Sequence, residues 1–156
     1  MRIALVAVGR LGLRTPEAEL ARVYAGRATA AGRALGLGPV EIVEVEGRKP
    51  GREGEAAALL AAVASGTHVI ACDERGRAWP SRAFAERIAV LRDAGVRQLA
   101  FLVGGADGLA PEVRAAAAEQ LAFGPQTWPH ALVRVMLAEQ VYRAVTILGG
   151  SPYHRD

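Results

Sequence analysis

The residues of this chain best suited to move a proton or hold an anion crowd its last thirty positions, 127–156. His130 follows Pro129 at the head of an apolar run, Glu139 and Arg143 stand four residues apart within it, and Tyr153, His154 and Arg155 follow Gly149-Gly150. A glutamate four residues before an arginine is also an ordinary helix pair, worth roughly 0.2–0.5 kcal/mol. His130 can serve as a base or as a hydrogen-bonding helix start; no His, Cys or carboxylate stands near it at metal-ligand spacing, so metal chemistry is not expected. Elsewhere, His68 lies in an apolar strand and reads as a satisfied core or edge histidine. Cys72 ends the same strand without a basic dyad beside it, and reads as packing rather than as a nucleophile. No G-x-S-x-G elbow or phosphate-loop lysine motif is present.

The glycine-rich stretch GGADGL, residues 104–109, lets a backbone approach a ligand closely. It serves equally as a plain turn into a helix, with Asp107 or Ala110 near the cap and Pro111 in the first turn. A dinucleotide fingerprint would follow the first strand as G-x-G-x-x-G. Here the spacing is G-G-x-x-G after the fourth strand, which argues against a nucleotide-dependent oxidoreductase.

Those residues need a scaffold, and the chain supplies an alternating one. RIALVAV, residues 2–8, is a buried strand ended by Gly9 and Gly12. Thr15-Pro16-Glu17 caps a helix that runs to the glycines at 36 and 38. Residues 40–45, VEIVEV, form a second strand, and the basic, glycine-rich loop 47–54 is expected to be mobile. A helix over 55–65, a strand over 67–72, a polar loop DERGRAWP, a helix over 81–93 and a strand over 97–103 follow. A fourth helix over 111–121, the segment FGPQTW and a long last helix over 130–148 complete the chain. The pattern predicts an α/β fold, a parallel sheet flanked by helices on both faces. Ligands of such sheets lie beyond the carboxyl ends of the strands, so DERGRAWP, GGADGL and FGPQTWPH are the expected walls of one cleft.

At 156 residues and 51% hydrophobic content, the chain fits a single domain over 1–156. One cysteine, no leader and no run of eighteen apolar residues point to the cytoplasm and away from membranes. Eighteen arginines against one lysine and a formal charge of +3 mildly favour a polyanionic partner, which a non-catalytic RNA-binding module would share. The last helix carries apolar residues around nearly its whole circumference. The sheet can cover one side, and a second copy of the chain is expected on the other, giving a homodimer.

RIALVAVG, LVGGADGL, TWPHALVRVMLAEQVYRA and the terminal PYHR occur in this order and spacing along the whole chain. On those motifs the chain resembles the SPOUT-class methyltransferases that modify N3 of a pseudouridine in large-subunit ribosomal RNA. The resemblance implies a C-terminal trefoil knot, a homodimer, S-adenosyl-L-methionine bound in the knot loops, and a substrate site completed by the partner subunit. Carried over by position, cofactor contacts fall at Cys72, Gly105, Gly124, Pro125, Gln126, Thr127, Trp128 and Pro129. Cys72 and Gly124 stand where relatives carry leucine and serine, and Ala110 replaces a serine, changes that contacts through backbone tolerate. For such a reaction the N3 proton must be removed and the nucleobase positioned. His154 is then the candidate base, Arg143 and Arg155 hold phosphate or a developing anion, Tyr153 stacks on a base, and Glu139 orients Arg143. A charge of +3 gives little grip on RNA alone, so the expected partner is ribosomal RNA within the assembled ribosome.

Overall fold

A computed structural model describes residues 1–155. Its elements are β1 (Arg2–Val8), α1 (Pro16–Gly32) with a short 3-10 turn at Arg33–Leu35, β2 (Val40–Val45), α2 (Arg52–Ala61), β3 (His68–Ala78), α3 (Ser81–Asp93), β4 (Gln98–Val103), α4 (Pro111–Ala116), β5 (Glu119–Ala122) and α5 (His130–Leu148). The five strands form one sheet in the order β2-β1-β4-β3-β5, and every pairing is parallel.

Both faces of the sheet are covered, which is why its inner strands β1, β4 and the first half of β3 read as apolar runs while the edge strands β2 and β5 carry glutamates. Ile3, Leu5 and Ala7 of β1, with Leu99, Phe101 and Val103 of β4, bury against α1, α3 and α5. Ala4, Val6 and Val8, with Ala100 and Leu102, bury against α2 and α4 on the other face. Thr15 caps α1 by accepting the Ala18 amide at 3.3 Å. Small residues Ala21, Ala25 and Ala28 line the buried side of α1. The helix runs through Gly26 and ends at Gly32, where a Cβ would stand 2.6 Å from the Leu37 carbonyl oxygen.

The structure departs from the sequence-based expectation in four places. The fourth helix stops at Ala116, and Glu119–Ala122 becomes an edge strand beside β3. Helix propensity in the alanine run is overridden by tertiary partners: Leu121 and Ala122 enter the core, and the Glu119 carboxylate is held across the edge. The third strand extends to Ala78, its register against β5 shifting between Cys72 and Arg77. Gly76 sits within that bulge, where a Cβ would meet backbone of Gln120 and Leu121 at 2.7 Å. The loop expected to be mobile folds tightly on itself: α2 begins at Arg52, and a Cβ on Gly54 would lie 2.0 Å from the Lys49 carbonyl oxygen. Finally, the apolar circumference of α5 is covered largely within the chain, by α1, α3 and the sheet. Leu132 remains 39% exposed, apolar surface on α5 that the chain itself leaves uncovered. On leaving β5 at the sheet edge, α5 crosses back to β4, β1 and α1, a route consistent with a C-terminal knot.

Glu119 also offers a pH test of the edge strand. Its carboxylate accepts from Arg87 (Nε at 3.0 and 2.9 Å, Nη2 at 2.8 Å) and from His68 Nε2 at 2.6 Å. Burial raises its pKa, but Arg87 and His68 outweigh burial and hold it below the ordinary glutamate value. A carboxylate held low in the folded state stabilises the fold above its unfolded pKa and ceases to do so as pH falls through the folded one. Glu119→Gln is therefore expected to destabilise the protein by about 1 kcal/mol at pH 7, after allowance for solvent screening. In urea melts the difference should shrink once pH falls below about 4.

Candidate functional site

The carboxyl ends of β3, β4 and β5 and the first turn of α5 enclose a cleft of about 820 Å³. The three expected loops meet there. Cys72 and Asp73 come from β3, Gly104 to Leu109 from the turn after β4, and Gly124 with Gln126, Thr127, Trp128 and Pro129 from the segment after β5. Pro125 is exposed and lies outside the wall. His130 and Val133 of α5, and Arg52 of α2, complete it.

Local chemistry fixes each wall. The Gly108 amide donates to the Gly105 carbonyl at 3.1 Å, closing a turn in which a Cβ on Gly104 would collide with the Gly108 carbonyl carbon at 2.8 Å. Gly124 has φ +97°, a conformation open to glycine, and Trp128 Nε1 donates to the Phe123 carbonyl at 3.1 Å, tying the segment into a loop. Asp73 accepts the Arg75 amide at 3.0 Å and pairs with Arg114 at 3.4 Å. Burial, with the Asp73 charge, pushes the Cys72 thiol up to about 12. It therefore stays protonated at neutral pH, which fits a packing role. Among the described residues no three His, Cys, Asp or Glu side chains are grouped to hold a metal ion, and no helix is long and apolar enough to cross a membrane.

The second polar cluster forms on α5 itself. Glu139 accepts from Arg143 Nε at 3.0 Å and Nη2 at 2.6 Å, from the Tyr153 hydroxyl at 3.0 Å, and from Gln140 at 2.8 Å on its other oxygen. Arg143 Nη1 meets His154 Nδ1 at 3.2 Å, and the guanidinium stands 5.0 Å from the Tyr153 ring centroid. Tyr153 packs on Tyr142 at 4.7 Å, and burial together with bonding to Tyr24 and Glu139 raises its phenol. The hydrogen bond to Glu139 keeps Arg143 firmly charged. The chain tail thus folds back so that Glu139, Arg143, Tyr153 and His154 are joined, while Arg155 is exposed. A guanidinium can only donate, so His154 Nδ1 accepts and its ring proton sits on Nε2.

Comparison with known proteins then decides the family. The model described as "Predicted SPOUT methyltransferase" matches residues 1–154. The chain belongs to the SPOUT methyltransferase family. A SPOUT relative from Phenylobacterium zucineum, "Ribosomal RNA large subunit methyltransferase H", is 70% identical over 156 residues, covering 100% of both chains. Proteins of the same name from Caulobacter vibrioides and Roseobacter denitrificans are 63% and 53% identical; this chain is covered in full by both, and they are covered over 99% and 100%. The crystal structure of a probable methyltransferase from Bordetella pertussis Tohama I shares the fold with TM-score 0.53 at 18% identity, covering 92% of this chain and 96% of that one.

Within this SPOUT chain the two polar groupings do not meet. His130, in the wall of the cleft, and Arg143 are thirteen residues apart on one helix, a separation of about 20 Å along its axis. Sequence reasoning placed the loop that begins at Asp73 but not the pairing of Asp73 with Arg114, and it passed over Tyr24, Glu55 and the buried Arg134. None stands in a recognisable local motif; their roles come from neighbours distant in sequence.

Proposed function

We propose that this chain transfers a methyl group from S-adenosyl-L-methionine to N3 of a pseudouridine in large-subunit ribosomal RNA, acting as a homodimer on the assembled ribosome. The observation that carries the reading is the division of labour just described: a glycine-lined cleft fit for a neutral adenosyl group, and an RNA-directed cluster about 20 Å from it on the same helix. Two copies arranged so that the tail of one faces the cleft of the other bring the halves together. Leu20 and Val23 on α1, 44% and 39% exposed, and Leu132 on α5 offer apolar surface for that pairing.

The residues fit the cofactor. Gly104, Gly105, Gly108 and Gly124 line the cleft largely with backbone, Trp128 ties the loop after β5 beside it, and the protonated Cys72 thiol presents a neutral wall. When bound, the cofactor supplies an electrophilic methyl group. The remaining work falls to the tail. Arg143, fixed by Glu139, presents positive charge to the anion left when N3 loses its proton, and Tyr153 offers a ring to a base. With His154 Nδ1 accepting from Arg143, the ring can take a proton there only after releasing Arg143.

The reading is tested by methyl transfer to whole ribosomes, isolated subunits and naked rRNA under one salt condition, with calorimetric titration of S-adenosyl-L-methionine alongside. Whole ribosomes should be the best substrate, and equal rates on all three would remove the ribosome requirement. Absence of cofactor binding would sink the methyltransferase reading of the cleft. Mixing a protein defective in the cleft with one carrying His154→Ala should restore part of the activity in hybrid dimers. No recovery would show that each site is built within one chain.

A further inference from the structure

Asp73 of β3 and Arg114 of α4 both line the cleft, and they form an ion pair within its wall. Their side chains are 7% and 18% exposed, whereas Arg52, Glu74, Arg75 and Asp107 on the same wall stand in bulk water. A sheltered charge is screened less than an exposed one and acts more strongly on a ligand beside it. Backbone, more than the opposite charge, holds each group in place. Arg114 Nη1 donates to the Leu109 carbonyl, and Asp73 Oδ1 accepts the Arg75 amide at 3.0 Å. The ion pair itself spans 3.4 Å, longer than the roughly 2.7–2.9 Å of a close charged hydrogen bond. Among the described residues the guanidinium bonds to Leu109 and Asp73, in both cases through Nη1, which leaves Nε and Nη2 able to donate elsewhere. A cation and an anion set side by side, each anchored by backbone and loosely coupled to the other, match a ligand that carries both charges on one carbon.

We propose that Asp73 and Arg114 recognise the zwitterionic amino-acid end of the adenosyl cofactor, Arg114 binding its carboxylate and Asp73 its ammonium. The inference rests on the reading of the cleft as the S-adenosyl-L-methionine site. A guanidinium fixed through one nitrogen is already oriented for a carboxylate, so little side-chain freedom is lost on binding. The short helix α4, whose Val113 is buried against the sheet, thereby also carries a binding group. The demethylated product keeps the same amino-acid end, so S-adenosylhomocysteine reports on the pair without turnover.

Asp73→Asn keeps the shape and removes the anion, and Arg114→Gln removes the cation. In calorimetric titrations each variant should bind S-adenosylhomocysteine at least about tenfold more weakly than the parent, the loss expected for a charged hydrogen bond. Methylthioadenosine, which keeps the adenosine and lacks the amino-acid end, should bind within about twofold of the parent, a change well under 1 kcal/mol. The contrast between the two ligands separates recognition from support, because a wall that has lost its shape weakens both alike. A loss of S-adenosylhomocysteine affinity smaller than about tenfold in either variant overturns the proposal. An equal loss for methylthioadenosine overturns it too, since the pair then only braces the loops after β3 and β4. If the parent protein binds neither ligand, the cleft reading itself fails, an outcome separate from the behaviour of the variants.

Discussion

Replacing His154 by alanine is expected to lower methyl transfer at least about a hundredfold while leaving cofactor affinity as it was. Affinity should survive because His154 folds onto the middle of α5, about 20 Å from the cleft of its own chain. Activity should not, because His154 is the outer member of a chain of contacts: Glu139 fixes Arg143, and Arg143 fixes the imidazole. The geometry also separates two roles for the ring. With Nδ1 accepting from Arg143, Nε2 carries the proton and acts as a donor. Glutamine supplies an N–H donor but no titrating base. His154→Gln should therefore keep turnover within about tenfold of the parent if donation is the role, a smaller loss than general-base removal produces. Single-turnover rates on ribosomes, measured with cofactor binding, decide this. Loss equal to that of alanine would make His154 the base, and retained turnover in the alanine variant would take it out of the mechanism.

What was legible beforehand follows a physical line between local and nonlocal information. The bounds of α3 and α5 and of β1 and β2 could be read directly, because a glycine, Gly95 or Gly149, closes each helix and an apolar or β-branched run marks each strand, although Ser81 does not cap α3 and instead bonds Gln140. β5 could not. Its residues follow an alanine run that favours helix, and only the ladder with β3 and the partners of Glu119 make it a strand. The convergence of three loops on the cleft was legible from topology, since parallel strands deliver their following loops to one edge. Pro125 is exposed between Gly124 and Gln126, which line the cleft. The Glu139–Arg143 pair was visible as spacing; that Tyr153 and His154 fold back onto it was not, because the return passes through Gly149 and Gly150 and is set by packing against Tyr142. Glu55 had no signal at all, since an orphaned carboxylate is defined by what surrounds it.

The second large effect concerns Arg134, one turn beyond the helix start that lines the cleft. It is 3% exposed, its Nη1 pairs with Glu44 at 3.1 Å, and its Nη2 donates to the Val8 carbonyl at the end of β1. Glu44 in turn accepts the Leu11 amide at 2.9 Å, so one ion pair joins α5, β1, β2 and the loop after β1. Burial pulls the Arg134 pKa down and Glu44 pulls it back up, but a guanidinium remains charged in either case. Arg134 is the buried end of the pair and Glu44 reaches solvent, so losing the guanidinium costs chiefly its charged hydrogen bonds to Glu44 and Val8, about 3 kcal/mol. For a chain of this size that is a fall in melting temperature of about 10 °C. Arg134→Met should show it, and S-adenosylhomocysteine should bind less tightly as His130 and Val133 lose their fixed position in the wall. Glu44→Met leaves the buried guanidinium uncompensated and should cost more than Arg134→Met, and the double variant should recover that difference, because no buried charge is then left alone. Thermal melts of the two singles and the double give the coupling directly. Both single variants melting within about 2 °C of the parent, a change near 1 kcal/mol or less, would show that the clamp contributes little to holding α5 against the sheet.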